Sequence, residues 1–169
     1  AKIFLYGAAS KQNLFLEAPK HKYILISTHG MTHESNSKLT GIYLAKNDAS
    51  SETPLQNDYL LYTSETYLLH LQADLVVLSS CESGIGQLVS GEGLIALNRS
   101  FIYSGAKNVL FSLWKVSDKY SSELMIDFYE NYYKTQSYTA ALRNAKLKLL
   151  ENPTTAQPKF WSAFVLMGE

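Results

Sequence analysis

Three apolar stretches, each about the length of a β-strand, constrain the fold of this chain most. They cover residues 23–28, 74–81 and 108–114 and are rich in Val, Ile and Leu. The strands of a parallel sheet are covered by helices on both faces and have such continuous apolar runs, whereas a half-exposed strand alternates. We therefore predict that these segments are buried strands of a parallel sheet.

Helix signals lie between these strands. Ser10, Ser117 and Ser137 each stand where a helix cap is expected, before residues with helical apolar spacing. The sequence predicts helices over residues 11–18, 94–103, 118–134 and 138–152, and further strands over residues 3–6, 41–45 and 161–166. Strands that alternate with helices indicate an α/β fold, here a mostly parallel sheet with helices on both faces, an α/β/α sandwich.

Composition narrows the class of protein. The 169 residues fit one domain, and 46% apolar and 12% aromatic content exclude intrinsic disorder. Lys plus Arg (15) balance Asp plus Glu (15), so the charge expected of a nucleic-acid or membrane-surface binder is missing. The longest apolar runs are far shorter than the roughly 20 residues that cross a bilayer. We expect a soluble, cytoplasmic protein, and a piece of a longer one, because the first residues already resemble a strand.

Cysteine and metal-ligand spacing exclude several kinds of site. Cys81 is the single cysteine, so neither an intramolecular disulfide nor a cysteine-based zinc site is expected. His29 and His33 have the i,i+4 spacing of zinc helices, but His29 follows a strand and Gly30 disfavours a helix. The segment Gly91-Glu92-Gly93 lacks the Lys and Ser/Thr of a phosphate loop. We expect no metal and no cofactor.

His29 and Cys81 are the residues that could carry chemistry. Each follows a predicted buried strand, and ligands of open α/β sheets bind outside the carboxyl ends of strands. If the two strands are neighbours, about 4.8 Å apart, both residues could reach one substrate group. A thiolate is a strong nucleophile toward a carbonyl, and an imidazole can move the protons. The N–H groups of Gly30 and Cys81 could then form an oxyanion hole.

Each of these residues also has a structural interpretation. A single cysteine at the end of a buried strand is commonly an inert small core residue, and a histidine before a glycine is commonly structural. A redox-sensing thiol at Cys81 is a further possibility. The occurrence of His29 and Cys81 together, on the same expected edge of one sheet, favours the catalytic interpretation.

At these residues the sequence resembles a known family. The motifs are "STHG" at residues 27–30, "ADLVVLSSCESGIG" at 73–86, "GEGLIALNRSFIYSGAKNVLFSLWKVSD" at 91–118 and "FWSAFVLMG" at 160–168. In this order they resemble a CHAT domain, the caspase-like peptidase domain commonly found behind tetratricopeptide repeats in bacterial proteins. The resemblance extends from about Lys11 to Gly168, and it implies that residues 1–169 are one such domain with repeats upstream.

The resemblance implies a cysteine endopeptidase of the caspase, legumain, gingipain and separase group, which needs no cofactor. His29 would be the catalytic histidine and Cys81 the nucleophile. Family members often have "SAC" and "ETG" around the cysteine, where this chain has Ser80 and Ser83. Both changes are small and leave the nucleophile in place. The implied partners are a protein substrate and either the upstream repeats or an activating protein.

The resemblance also implies a specificity pocket at the end of the strand that includes Ser112 and leads to Trp114. Separases resemble this chain at "LWxVxD", where an acidic residue meets a basic substrate side chain. By that match Asp118 would bind a substrate Arg or Lys. The alternative for Asp118 is structural, because a carboxylate in the first turn of a helix is favoured by the helix dipole.

A second class of function is a caspase-like fold kept as a docking or scaffolding module without turnover. The presence of both His29 and Cys81 counts against it. The polar segment over residues 31–58 lies beside His29 in the sequence, and we expect a partner or substrate to order it. We therefore expect the isolated chain to be poorly active.

Overall fold

The fold is built on one mixed six-stranded sheet. The structure, a computed structural model, describes residues 1–31, 33, 36–46, 59–82 and 92–168. The strands lie in the order β3-β2-β1-β4-β5-β6. Their bounds are Tyr23–Met31 for β1, Gly41–Tyr43 for β2, Leu60–Tyr62 for β3, Leu75–Glu82 for β4, Asn108–Ser112 for β5 and Phe164–Gly168 for β6.

Six α-helices of the described residues surround the sheet. They are α1 (Lys11–Glu17), α2 (Thr63–Thr66), α3 (Glu92–Tyr103), α4 (Asp118–Thr135), α5 (Tyr138–Glu151) and α6 (Pro158–Trp161). Short 3₁₀ turns lie at Tyr6–Ala8, Ala18–Lys20, Ser37–Leu39 and Tyr67–Leu69. In the part of the chain that the structure describes, none of the helices is both long and apolar enough to cross a bilayer.

Parallel pairing is confined to the centre of the sheet. β4 lies between β1 and β5 and runs parallel to both. β2, β3 and β6 complete the sheet through antiparallel pairs. The predicted α/β fold with helices on both faces is confirmed. The mostly parallel sheet holds for the three central strands, whereas the outer strands run antiparallel.

β4 carries the two hydrophobic cores, one on each face. Val76 and Leu78 pack in the core that also contains Leu97 and Phe101 of α3. The side chain of Val77 points to the opposite face of β4 and belongs to the other core, which is formed with α4 and α5. Both clusters are almost fully buried, as expected for a strand with helices above and below it. The prediction of a doubly buried strand is therefore confirmed for β4.

β1 differs from that prediction. Ile26 is buried, but the side chains of Tyr23 and Leu25 are 56% and 60% exposed. The core under α4 and α5 draws its strand residues from β4, β5 and β6, so no described helix covers Leu25. The prediction that this segment is buried on both faces is wrong, because a continuous apolar run does not show how far a helix layer extends.

The first predicted strand is absent, and the others differ at their ends: β2 ends at Tyr43, not at residue 45, and β5 ends at Ser112, not at residue 114. Residues 3–6 form no strand; Ile3 is 76% exposed and a 3₁₀ turn begins at Tyr6. An extended segment counts as a strand only where a neighbour accepts its backbone hydrogen bonds, and none of the described residues does so here. The last strand begins at Phe164, not at Trp161, which belongs to α6.

Caps and one glycine set the helix ends. The Oγ atoms of Ser10 and Ser137 accept the backbone N–H groups of Asn13 and Ala140, both at 3.3 Å, and so begin α1 and α5. Ser117 makes no such side-chain bond. After α3, Gly105 adopts φ +114°, where a Cβ atom would collide with the carbonyl of Leu71. Only glycine fits this close approach without strain.

Candidate active site

His29 and Cys81 lie opposite each other on adjacent parallel strands. In the register of β1 and β4, Ser27 pairs with Ser79 and His29 pairs with Cys81. Neighbouring strands are about 4.8 Å apart, so the two backbone positions are direct neighbours. Both positions lie near the carboxyl ends of their strands, at the edge where open α/β sheets bind ligands.

The alternation of side chains along β1 determines on which face of the sheet His29 lies. The Oγ1 of Thr28 donates to the carbonyl of Tyr43 at 2.5 Å, which connects β1 to the segment that ends β2. Because successive residues of a strand point to opposite faces, His29 shares the other face with Leu25. His29 is exposed on that face. Its imidazole is therefore accessible to a substrate.

Gly30 lies inside β1 and not beyond its end. It pairs with Glu82 of β4 on one side and with Ile42 of β2 on the other, and β1 continues to Met31. The strand is thus longer than the residues 23–28 that the sequence predicts. With a strand on each side, the Gly30 N–H points within the plane of the sheet. Its role in an oxyanion hole stays a prediction.

His33 forms local hydrogen bonds that stabilise the segment after β1. Its backbone N–H donates to the Oγ1 of buried Thr40, and its Nδ1 accepts the N–H of Asn36, both at 3.2 Å. Because β1 runs to Met31, His29 and His33 do not share a helix. Their i,i+4 spacing therefore does not place them on one helical face. Among the described residues, no three His, Cys, Asp or Glu side chains lie close enough together to hold a metal ion.

The residues expected in the specificity pocket lie at the neighbouring strand end. Leu78 of β4 pairs with Phe111 of β5, so Ser112, the last residue of β5, lies beside Ser79. Trp114 follows and is 40% exposed, and Asp118 is the exposed first residue of α4. The structure therefore brings these pocket candidates to the same sheet edge as His29 and Cys81.

Trp114 is held by α6 and the turn that precedes β6. Its Nε1 donates to the carbonyl of Lys159 in α6 at 3.1 Å, and the Leu113 N–H donates to the carbonyl of Ala163 at 2.8 Å. α6 thus supports the pocket edge, which the sequence analysis missed. Pro158 could have revealed this helix, because proline is favoured in the first turn of a helix. Ser83 and the loop after Cys81 lie outside the described residues.

The comparison with known families decides the classification. The sequence model of the CHAT domain family matches residues 1–169. This chain belongs to the CHAT domain family. The resemblance based on its four motifs is confirmed, and the match covers the whole chain, not only Lys11 to Gly168.

Two curated relatives extend the comparison of this CHAT domain. It is similar to Tetratricopeptide repeat protein 28 of Mus musculus and of Homo sapiens, each 31% identical over 121 residues. The aligned region is 72% of this chain and 5% of each relative, so the chain spans a small part of those proteins. Both relatives are named for tetratricopeptide repeats, as the resemblance to the family implies, and repeats upstream of this chain stay a prediction. Both relatives are mammalian and give no support to the expected bacterial setting, and their names mention no peptidase activity.

Proposed function

We propose that this CHAT domain is a cysteine endopeptidase whose catalytic dyad is His29 and Cys81. The observation that carries the proposal is the β1–β4 register, in which these two residues are direct partners near the carboxyl end of the sheet. The caspase-like character of the family supports the same class of reaction. The substrate would be a protein that is cut after a basic residue.

The reaction balances with the groups of the chain and one water molecule. The thiolate of Cys81 attacks the scissile carbonyl carbon, and a C–S bond forms. The imidazolium of His29 gives its proton to the leaving amine as the C–N bond breaks, which leaves a thioester on Cys81. Water then attacks the thioester, His29 takes the proton from that water, and the thiolate is released. The N–H groups of Gly30 and Cys81 would stabilise the oxyanion.

The basic specificity rests on Asp118. Its carboxylate is exposed, and none of the described residues pairs with it through an ion pair or a hydrogen bond. It is therefore available to a substrate Lys or Arg, with Trp114 as a neighbouring apolar wall and Ser112 at the strand end. A charge-assisted hydrogen bond between carboxylate and guanidinium or ammonium is strong enough to select the residue before the scissile bond.

Regulation belongs to the longer protein. The chain aligns with only 5% of relatives that are named for tetratricopeptide repeats. We propose that upstream repeats or an activating partner control the peptidase, and that the isolated chain turns over substrate slowly. Strong cleavage by the 169-residue chain alone would contradict this part of the proposal.

Electrophilic peptide ketones test the proposal directly. A probe with Lys or Arg next to the warhead should add its mass to the chain, and the Cys81→Ala variant should not be labelled. Matched probes with Glu or Ala at that position should label more slowly, which separates specificity from general thiol reactivity. The panel is run on the isolated chain and on the longer activated protein.

Two outcomes of the probe experiment would contradict the proposal. If no basic, acidic or neutral probe labels the activated longer protein, the peptidase proposal is wrong. The domain would then be a docking or scaffolding module without turnover. If Cys81 reacts quickly with peroxide but never with the peptide probes, a redox-sensing thiol would replace the catalytic one.

A further inference from the structure

An open groove of about 520 Å³ lies between α5 and β6, the strand at one edge of the sheet. Its apolar lining includes the side chains of Leu147 and Leu150 from α5 and Trp161 from α6. Leu147 and Leu150 are 37% and 43% exposed, so the helix presents apolar surface to the groove without a cover. The groove is separate from the His29–Cys81 edge and belongs to no site described above.

Two cations line the groove, and none of the residues that the structure describes gives them a counter-charge. Arg143 and Lys146 are one helical turn apart on α5, and the lining contains no Asp or Glu. None of the described residues forms an ion pair or a hydrogen bond with either side chain. Burial lowers the pKa of Lys146, because the ammonium loses water and no carboxylate compensates it.

Lys11 shows that this arrangement is unusual in the chain. The 15 Lys and Arg residues all lie in the described part, and Lys11 and Lys146 are the two that are not exposed. Lys11 forms an ion pair with Glu65 at 2.5 Å. Lys146 lies in a mostly apolar groove and has no anionic partner among the described residues. An anionic group of a binding partner would pair this cation and offset the cost of its desolvation.

The open edge of β6 reaches the same groove. The Leu113 N–H donates to the carbonyl of Ala163, and the antiparallel register continues from there, with Phe111 opposite Val165. Backbone groups alternate in direction along such a strand, so the N–H and C=O groups of Phe164 and Leu166 point away from β5. In the part of the chain that the structure describes, no strand pairs with this side of β6.

We propose that the groove binds an extended peptide segment of a partner protein in which acidic and apolar residues alternate. The segment adds as a strand to the edge of β6 by backbone hydrogen bonds. Because successive residues of a strand point to opposite faces, its carboxylates share one face and meet Arg143 and Lys146, whereas its apolar side chains lie on the other face of the extended sheet. The proposal does not depend on peptidase activity.

Charge selects this occupant over a second copy of the chain. A two-fold interface places the same patch against itself, so two grooves would bring four cations together without a carboxylate in the lining. An acidic segment neutralises both Arg143 and Lys146. The partner is thus defined by its chemistry, an anionic strand with an apolar face.

A fluorescent heptapeptide, Glu-Val-Glu-Leu-Glu-Val-Glu, is the probe, and fluorescence anisotropy measures its Kd. The double variant Arg143→Glu with Lys146→Glu should weaken binding by about 30-fold or more. The matched control, Lys38→Glu with Lys134→Glu, changes the net charge equally at exposed positions elsewhere and should bind nearly as the unmodified chain does. The same peptide with Lys in place of Glu should bind the Arg143→Glu, Lys146→Glu variant better than the unmodified chain.

Backbone pairing has its own control. A peptide with the same side chains but N-methylated at alternate residues should lose binding, because it cannot donate to the edge of β6. Thermal unfolding checks that the variants remain folded. Equal binding of the Glu and Lys peptides, or no effect of the double variant, would overturn the proposal. Self-association that competes with the peptide would assign the groove to a second copy and would overturn it too.

Discussion

His29 and Cys81 are register partners on two parallel strands, β1 and β4. A protonated imidazole beside a thiol stabilises the thiolate and lowers the pKa of the thiol. We therefore predict that His29→Ala shifts the alkylation of Cys81 by iodoacetamide to higher pH, toward the ordinary thiol value of about 8.5. The chain has one cysteine, so mass spectrometry follows this reaction without interference.

The unfolded chain is the control for this measurement. In guanidinium chloride the unmodified chain and the His29→Ala variant should give the same pH profile, because the strand pairing is lost. If the two folded profiles also coincide, the imidazole does not influence the thiol and the dyad is wrong.

Asp118 should set the preference for a basic residue. The Asp118→Ala variant loses the carboxylate, so the ratio of labelling rates for Arg and Ala probes should fall by about tenfold. Glu130→Gln, which removes an exposed carboxylate from the same helix α4, should leave that ratio unchanged. An unchanged ratio in Asp118→Ala would leave this residue with only its structural role in the first turn of α4.

Gly105 should be sensitive to substitution by alanine. Its φ of +114° and the nearby carbonyl of Leu71 leave no room for a Cβ atom. The Gly105→Ala variant should lose more than about 1 kcal/mol in the free energy of unfolding. Gly7→Ala is the matched control, because a Cβ atom there meets nothing within 4 Å. Chemical denaturation measures both, and equal losses would contradict the prediction.

Replacement of Asn98 by alanine should stabilise the fold. Asn98 is fully buried in α3, and neither its Nδ2 nor its Oδ1 has a hydrogen-bond partner among the residues that the structure describes. Removal of an unpaired buried amide avoids its desolvation penalty, so Asn98→Ala should raise the free energy of unfolding by about 1 kcal/mol. Asn108→Ala should lower it instead, because the Nδ2 of Asn108 donates to the Asp74 carbonyl at 3.1 Å. A decrease for Asn98→Ala would point to a buried water as its partner.

Stability should fall in acid through Glu17. Hydrogen bonds from Lys2 and Lys20 lower the pKa of this carboxyl below its ordinary value of 4.5. A carboxyl with a lowered folded-state pKa stabilises the fold above the unfolded value, and this contribution is lost as the pH falls through the folded value. The unfolding midpoint of Glu17→Gln should therefore depend less on pH below about 4.5 than that of the unmodified chain. Parallel profiles for the two proteins would contradict the role of Glu17.

The central strands and long helices could be predicted because their signals are local. β4 has apolar side chains on both faces, and Ser137 provides the cap that begins α5. The placement of His29 and Cys81 at one edge follows from one further rule, that parallel strands end at the same edge of a sheet. That β1 and β4 are direct neighbours was only a condition of the sequence analysis, because β2 and β3 lie between them in the chain, and the structure supplies this pairing.

The rest depends on contacts between distant residues. The exposure of Leu25 reflects where the helix layer ends, and no local pattern carries that information. The bond between Thr28 and the Tyr43 carbonyl joins β1 to another segment, and the bond between Trp114 and Lys159 joins residues 45 positions apart. Such contacts arise only when the whole chain packs, so sequence patterns could not indicate them.

The two tryptophans lie at two different proposed sites. Trp114 stands at the sheet edge near the dyad, and Trp161 lines the groove beside β6. The chain contains no other tryptophan. A Trp114→Phe variant therefore emits from Trp161 alone, and a Trp161→Phe variant from Trp114 alone. Intrinsic emission can thus distinguish occupancy of the groove from occupancy of the dyad edge in unlabelled protein.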